Sequence, residues 1–174
     1  MSENINILVA IDTKKLKADH PTLSQDPDNP TGLHHAGKFM ICNHANLVAR
    51  EATADLEFTA NVGDMVSFSG VSLSANSQDA VIVYGIEHWK QDYVFNSFRP
   101  DTIVRQNAAM PDWKTDGGLP ATHQQASFAS FDSVVRQKGT EYYYVKIAIY
   151  TLSDDGESQE LLGYGYWDPS ITVS

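Results

Sequence analysis

Apolar side chains recur at every second residue through much of this chain, and a strict period of two calls for extended strands with one buried face rather than amphipathic helices. The cleanest case is TADLEFTA, where Ala54, Leu56, Phe58 and Ala60 alternate with Thr53, Asp55, Glu57 and Thr59. INILVAID sets Ile5, Ile7, Val9 and Ile11 on one side, and YYYVKIAIY sets Tyr143, Val145, Ile147 and Ile149 opposite Tyr142, Tyr144, Lys146 and Tyr150. Further strands are predicted at 38–43, 65–69, 80–88, 102–106, 127–136 and 161–167. The run AVIVYGI is apolar on both faces and is read as a central strand. NVGD at 61–64 and DDGE at 154–157 pair Asn or Asp with Gly, the composition of hairpin turns. Helical periodicity is absent beyond a short turn near 92–98. Many short strands separated by turn signals predict an all-β, antiparallel β-sandwich.

At 174 residues the chain is expected to form one domain, 1–174, with enough material for a core that needs no covalent staples. Twelve Lys and Arg against 22 Asp and Glu give a net charge of −10, which argues against nucleic acid and anionic membranes as partners. The one cysteine, Cys42, lies in the apolar run KFMIC and reads as a buried, inert thiol. The N-terminal apolar run, 5–11, is too short for a membrane span or a secretory core, so no membrane insertion is expected and synthesis is placed in the cytoplasm. A role outside the cell would then require nonclassical release or lysis.

Enzyme signatures are missing: there is no Gly-x-Ser-x-Gly elbow, P-loop, dinucleotide fingerprint or His-Glu-x-x-His, so neither catalysis nor an organic cofactor is expected. GYGYWD imitates a glycine-rich fingerprint, but its Tyr and Trp would block a phosphate from the backbone. Of the six histidines, His20, His34, His35 and His44 fall close together, yet no Cys, Asp or Glu stands at zinc spacing from them. They read as surface or hydrogen-bonded imidazoles, with adjacent His34 and His35 diverging. DDGE lacks the ligand pattern of a calcium-binding helix-loop-helix and reads as a plain hairpin tip.

Three stretches, 14–37, 91–100 and 107–125, are too long for ordinary connections and are the places to look for a site. In SQDPDNPTG, Asp26, Asp28 and Asn29 offer hard oxygen ligands on a loop stiffened by proline, making calcium a candidate cofactor, with Thr31 beside them. The competing reading is that Asp and Asn merely cap turns. In MPDWKTDGG, Asp112, Trp113 and Asp116 combine an aromatic face with carboxylates, the pairing a sugar needs for its C–H face and its hydroxyls. There the competing reading is that Trp113 anchors its loop and Trp167 lies in the core.

The ordered blocks ILVAIDT, SQDPDNPTG and ANVGDMVSFSGVSLSANSQDAVIVYGI resemble the PixA/AidA family of bacterial inclusion-body proteins, and the likeness runs from Ile5 to Trp167. The resemblance implies an immunoglobulin-like β-sandwich from a Gram-negative bacterium associated with animals or plants. It also implies cytoplasmic inclusions for PixA-type members, and quorum-sensing control and host interaction for AidA-type members. It carries no catalytic residues. PixA-type members are rich in methionine, whereas this chain has only Met1, Met40, Met65 and Met110, which places it nearer the AidA-like branch. The expectation is a non-enzymatic, lectin-like protein that binds carbohydrate or another host-surface ligand, with calcium as a candidate bridge. The alternative is a structural or storage protein that self-assembles into inclusion bodies. A homo-oligomer is expected.

Overall fold

The period-two alternation becomes two sheets in the computed structural model, which describes residues 2–89 and 93–174. In chain order the elements are β1 (Asn4–Ile11), α1 (Thr13–Asp19), β2 (Thr31–Gly32), β3 (Lys38–Cys42), β4 (Leu47–Ala49), β5 (Leu56–Phe58) and β6 (Met65–Ser72). There follow β7 (Ala80–His88), β8 (Arg99–Met110), β9 (Thr122–Val134), β10 (Gly139–Leu152), β11 (Gln159–Trp167) and β12 (Ser170–Val173). One sheet has the order β3-β1-β6-β9-β8; the other runs β2-β11-β10-β12-β5-β4, with β7 on the remaining side of β10. Strands β11 and β12 share one register along β10, since Val145 faces Trp167 and Tyr142 faces Ser170. They form a single line of chain interrupted at Asp168 and Pro169.

Side chains that point between the sheets make one hydrophobic cluster. Ile5, Ile7, Val9 and Ile11 enter it from β1, as their spacing predicts, and Phe58, Phe68, Phe95, Tyr143 and Trp167 are its largest members. Ala54, Leu56, Phe58 and Ala60 are likewise all buried. Burying an aromatic or branched aliphatic side chain stabilises the fold by about 1.5–3 kcal/mol. The one-sided alternation is therefore the main source of cohesion.

The all-β sandwich stands, with differences in detail. Its sheets are mixed, because β1 pairs parallel with β6, β5 with β12 and β2 with β11. Parallel neighbours need long crossovers, and β1 reaches β6 only after the chain has passed through the other sheet. Strand β7, predicted to be central, pairs with β10 alone among the described residues. Its apolarity instead serves the core, where Val81, Val83 and Ile86 are buried. The NVGD turn does not close a hairpin: it carries the chain from β5 to β6 in the opposite sheet, and the Asp64 carboxylate accepts from the Asn61 and Glu3 amides.

Two predicted loops are partly regular. Stretch 14–37 begins with most of α1, whose Asp12 cap accepts from the Lys15 amide at 2.9 Å while Leu16 enters the core. Lys17 ties the helix to Asp79 at 2.8 Å. Stretch 107–125 is strand at both ends, because β8 and β9 form a long ribbon that residues 111–121 connect. The predicted turn at 92–98 begins on Asp92, which lies outside the described residues; its described part contains a bridge from Phe95 to Val135, with Phe95 fully buried.

Candidate functional site

The loop after α1 is fastened to the free edge of β11. Ser24 bridges Tyr164, and Thr31 pairs with Gly165 while its hydroxyl accepts from the Ser24 amide at 2.9 Å. Leu23 and Leu33 reach the core past Gly163 and Gly165, where a Cβ would leave them no room. Asp26 turns its oxygens inward: Oδ1 accepts from the Asp28 amide at 2.9 Å and Oδ2 from the Asn29 side-chain amide at 2.8 Å. These bonds hold the Asp26 carboxyl below its ordinary pKa, Asn29 contributing most. Asp28 and Asn29 face outward, beside Pro30, Tyr144 and Tyr166.

The second predicted cluster lies elsewhere, at the end of the β8–β9 ribbon. Trp113 is 86% exposed there, with Lys114 5.6 Å from its ring, and the Asp112 carboxylate accepts from the Lys114 amide. Asp116 is exposed in the same turn. Among the described residues, Asp26, Asp28, Asn29 and Thr31 share no hydrogen bond, ion pair or cavity with Asp112, Trp113 and Asp116. The two halves do not form one site.

The histidines also separate. His34 lies beside His20, ring centroids 5.2 Å apart, and its carbonyl accepts from the buried Lys38 ammonium. Burial, followed by the charges of His34 and Lys38, pushes the His20 pKa down. This spot already holds a cation. His35 instead meets Asp168 at 3.0 Å. No group of three or more His, Cys, Asp or Glu converges as for a metal among the described residues. Trp167 is a core residue, its indole N–H donating to the Ala54 carbonyl.

An unpredicted feature sits on the outer face of the β7-β10-β11 sheet. Strand alternation sends Tyr143, Val145 and Ile147 inward, leaving Tyr142, Tyr144 and Lys146 outward, while Gly163, Gly165 and Trp167 face in and Tyr164 and Tyr166 face out. Trp89, 46% exposed just beyond β7, stacks on Tyr144 at 5.3 Å and meets Tyr142 edge-on at 6.3 Å. Tyr144 meets Tyr166 at 5.2 Å, and Tyr84 meets Tyr164 at 5.5 Å. Tyr84 also donates to the Pro27 carbonyl, joining the Asp-Pro loop to this face.

Charged groups border the aromatic row. Lys146 and Glu87 pair at 2.6 Å, and His35 with Asp168 closes the far side. Trp89, Tyr142, His35 and Asp168 line an open depression of about 530 Å³, and a second of about 360 Å³ lies between Tyr144, Tyr166, Glu87 and Asp28. The alternation in YYYVKIAIY sets Tyr142 and Tyr144 on one side of their strand; the missed signal was that this set is aromatic and that Tyr164 and Tyr166 alternate in the same way in the paired strand.

Beneath Trp89 lies a buried polar node. Glu141, 3% exposed, accepts from the Tyr143 hydroxyl at 2.7 Å and the Val94 amide at 2.6 Å, and its other oxygen lies 2.5 Å from His88 Nδ1. His88 lines a third depression with Trp89, Tyr93 and Ser97. The node ties the end of β7 at His88 to Val94, and the Trp89 amide donates to the Tyr142 carbonyl at 3.0 Å. Burial, then the Glu141 carboxylate, raises the Tyr143 pKa far above the ordinary phenol value, and burial pushes Tyr84 up to about 12.

Both phenols stay neutral in the fold at a pH where the unfolded chain would ionise them. Their contribution to stability is complete below a pH of about 10 and is lost as pH rises towards about 12. A melting-temperature series across that window should fall steadily. Replacing Tyr84 with Phe should flatten part of the slope.

These features define an all-β sandwich of two mixed sheets that presents one open, aromatic face. Residues 3–173 match the PixA family, described as inclusion body protein, and the chain belongs to that family. It is similar to the crystal structure of a PixA inclusion body protein from Burkholderia cenocepacia J2315, at 33% identity and a TM-score of 0.84, covering 99% of this chain and 97% of that one. No curated protein matches the chain. No helix among the described residues is long and apolar enough to cross a membrane.

Proposed function

We propose that this chain is a non-enzymatic binding protein that takes a carbohydrate on the outer face of the β7-β10-β11 sheet. The observation that carries the reading is the half-open row of Trp89, Tyr142, Tyr144 and Tyr166 bordered by Glu87, Lys146, Asp28 and Asp168. Aromatic faces stack on the C–H side of a sugar ring, and flanking carboxylates and ammonium groups take its hydroxyls. Tyr144 backs one face of the Trp89 indole, so the platform is held before a ligand arrives. Asp28 and Asn29, singled out by their loop composition, contribute from the rim; Asp112, Trp113 and Asp116 lie outside this site. The family description supports accumulation inside the cell, and a host-surface glycan would be met after release.

The direct test is a glycan array on folded protein, with calcium and with EDTA. Binding should fall by at least about tenfold in Trp89→Ala, as for a central aromatic anchor, and be unchanged in Trp113→Ala. Loss of signal in EDTA would assign calcium a role at the Asp26–Asn29 loop. No glycan retained under either condition removes the reading, and dependence on Trp113 alone would move the site to the ribbon tip.

A further inference from the structure

The β8–β9 ribbon stands apart from the rest of the sandwich. Only the base of β9, 131–134, pairs with β6, and nearly every side chain of β8 is exposed. Beyond that base the two strands pair only with each other, from Asp101 opposite Ser130 to Met110 opposite Thr122. A two-stranded ribbon is marginally stable alone and its open edge invites another strand. Other sheet edges are short or covered: β2 and β4 have two and three residues, β3 is bridged by Thr53 at Met40, and β7 packs against β6 at Gly70, where a Cβ would lie 3.1 Å from the Val83 amide nitrogen.

The usable part of the β8 edge is well bounded. Pro100 has no amide to donate, and the register shifts after Arg105. Between these breaks lie five regular residues, Asp101-Thr102-Ile103-Val104-Arg105. Their centre is Ile103. An antiparallel copy of the segment centred there sets Ile103 against Ile103, Thr102 against Val104, and Asp101 against Arg105 twice. Pro100 then falls opposite Gln106, so the breaks at the two ends also coincide.

Strand alternation puts Asp101, Ile103 and Arg105 on one face, with Phe128 beside Ile103 in β9. Phe128 is 55% exposed, and pairing two ribbons would join the two Phe128–Ile103 pairs into one apolar stripe. Net charge favours the same place. The chain carries −10, which repels a second copy, but residues 99–131 hold Arg99, Arg105 and Lys114 against Asp101, Asp112 and Asp116 and are neutral.

The geometry points to a second copy of this chain as the partner of β8, paired antiparallel about a two-fold axis through Ile103 and locked in register by two Asp101–Arg105 ion pairs. This inference stands independently of the glycan reading. The interface is isologous, so one substitution acts twice.

Sedimentation of the full chain over a range of concentrations tests it. The unaltered protein should form dimers that dissociate on dilution. Asp101→Arg and Arg105→Asp should each weaken association by about tenfold or more, because both facing pairs become repulsive. The double exchange, Asp101→Arg with Arg105→Asp, should restore association, which a general loss of folding would not. Ile103→Cys should give a disulfide-linked dimer under mild oxidant, since the chain's one native thiol, Cys42, is buried. A protein that stays monomeric at every concentration, charge reversals without effect, a double exchange that fails to restore association, or an Ile103→Cys chain that does not cross-link each overturns the proposal.

Discussion

Replacing Glu141 with Ala should destabilise the protein by about 3–5 kcal/mol, the range for removing one member of a buried, hydrogen-bonded charged network. Three groups lose their acceptor together: the Tyr143 hydroxyl, the Val94 amide and His88 Nδ1. Tyr143 and Val94 cannot recover it from water, because both are buried. Glu141→Gln keeps the shape and one acceptor oxygen and should cost less. Urea unfolding of both variants measures the difference; a change under about 1 kcal/mol for the alanine variant would show that the node is not a structural centre.

Gly163→Ala should have a comparable effect by a different route. A Cβ there would lie 2.5 Å from the Leu23 Cβ and 2.8 Å from the Ser24 carbonyl oxygen, at a φ of +154° that side chains rarely adopt. The Asp-Pro loop would have to leave the β11 edge or β11 would have to bend. We expect a loss of roughly 3 kcal/mol or more, which for a domain of this size lowers the melting temperature by about 6–12 °C. Gly117→Ala is the matched control: nothing lies within 4 Å of its added Cβ, and the change should be near neutral.

Local chemistry was legible in the sequence wherever one residue's environment depends on its neighbours in the chain. Alternation in TADLEFTA and YYYVKIAIY identified the buried side chains because strand geometry repeats every two residues. Strand sense was not legible, since β1 and β6 run parallel through contacts about sixty residues apart. Helix α1 escaped because it buries only Thr13 and Leu16 and leans on Asp12 and the distant Asp79. The inner ribbon is legible as strands at 102–106 and 127–136, but its outer part, 107–110 and 122–125, reads as loop because strands exposed on both faces show no apolar alternation.

The candidate site divided along the same line. Composition singles out Asp26, Asp28, Asn29 and Thr31 as ligand candidates, but it could not join Trp89 to Tyr144 and Tyr166, which the pairing of β7, β10 and β11 brings together. Nor could spacing link His88 to Glu141, 53 residues away. Trp113 has the composition of a sugar-stacking residue and stands on the wrong part of the molecule for this face.

The placing of the first and last strands bears on how the protein gives way under load. Strand β1 lies between β3 and β6, and β12 between β10 and β5. An unfoldase pulling on either end therefore meets a strand clamped on both flanks and cannot peel it bond by bond from an edge. Two ladders must shear together, so the rate of forced unfolding, rather than equilibrium stability, governs how long such a chain survives proteolytic machinery.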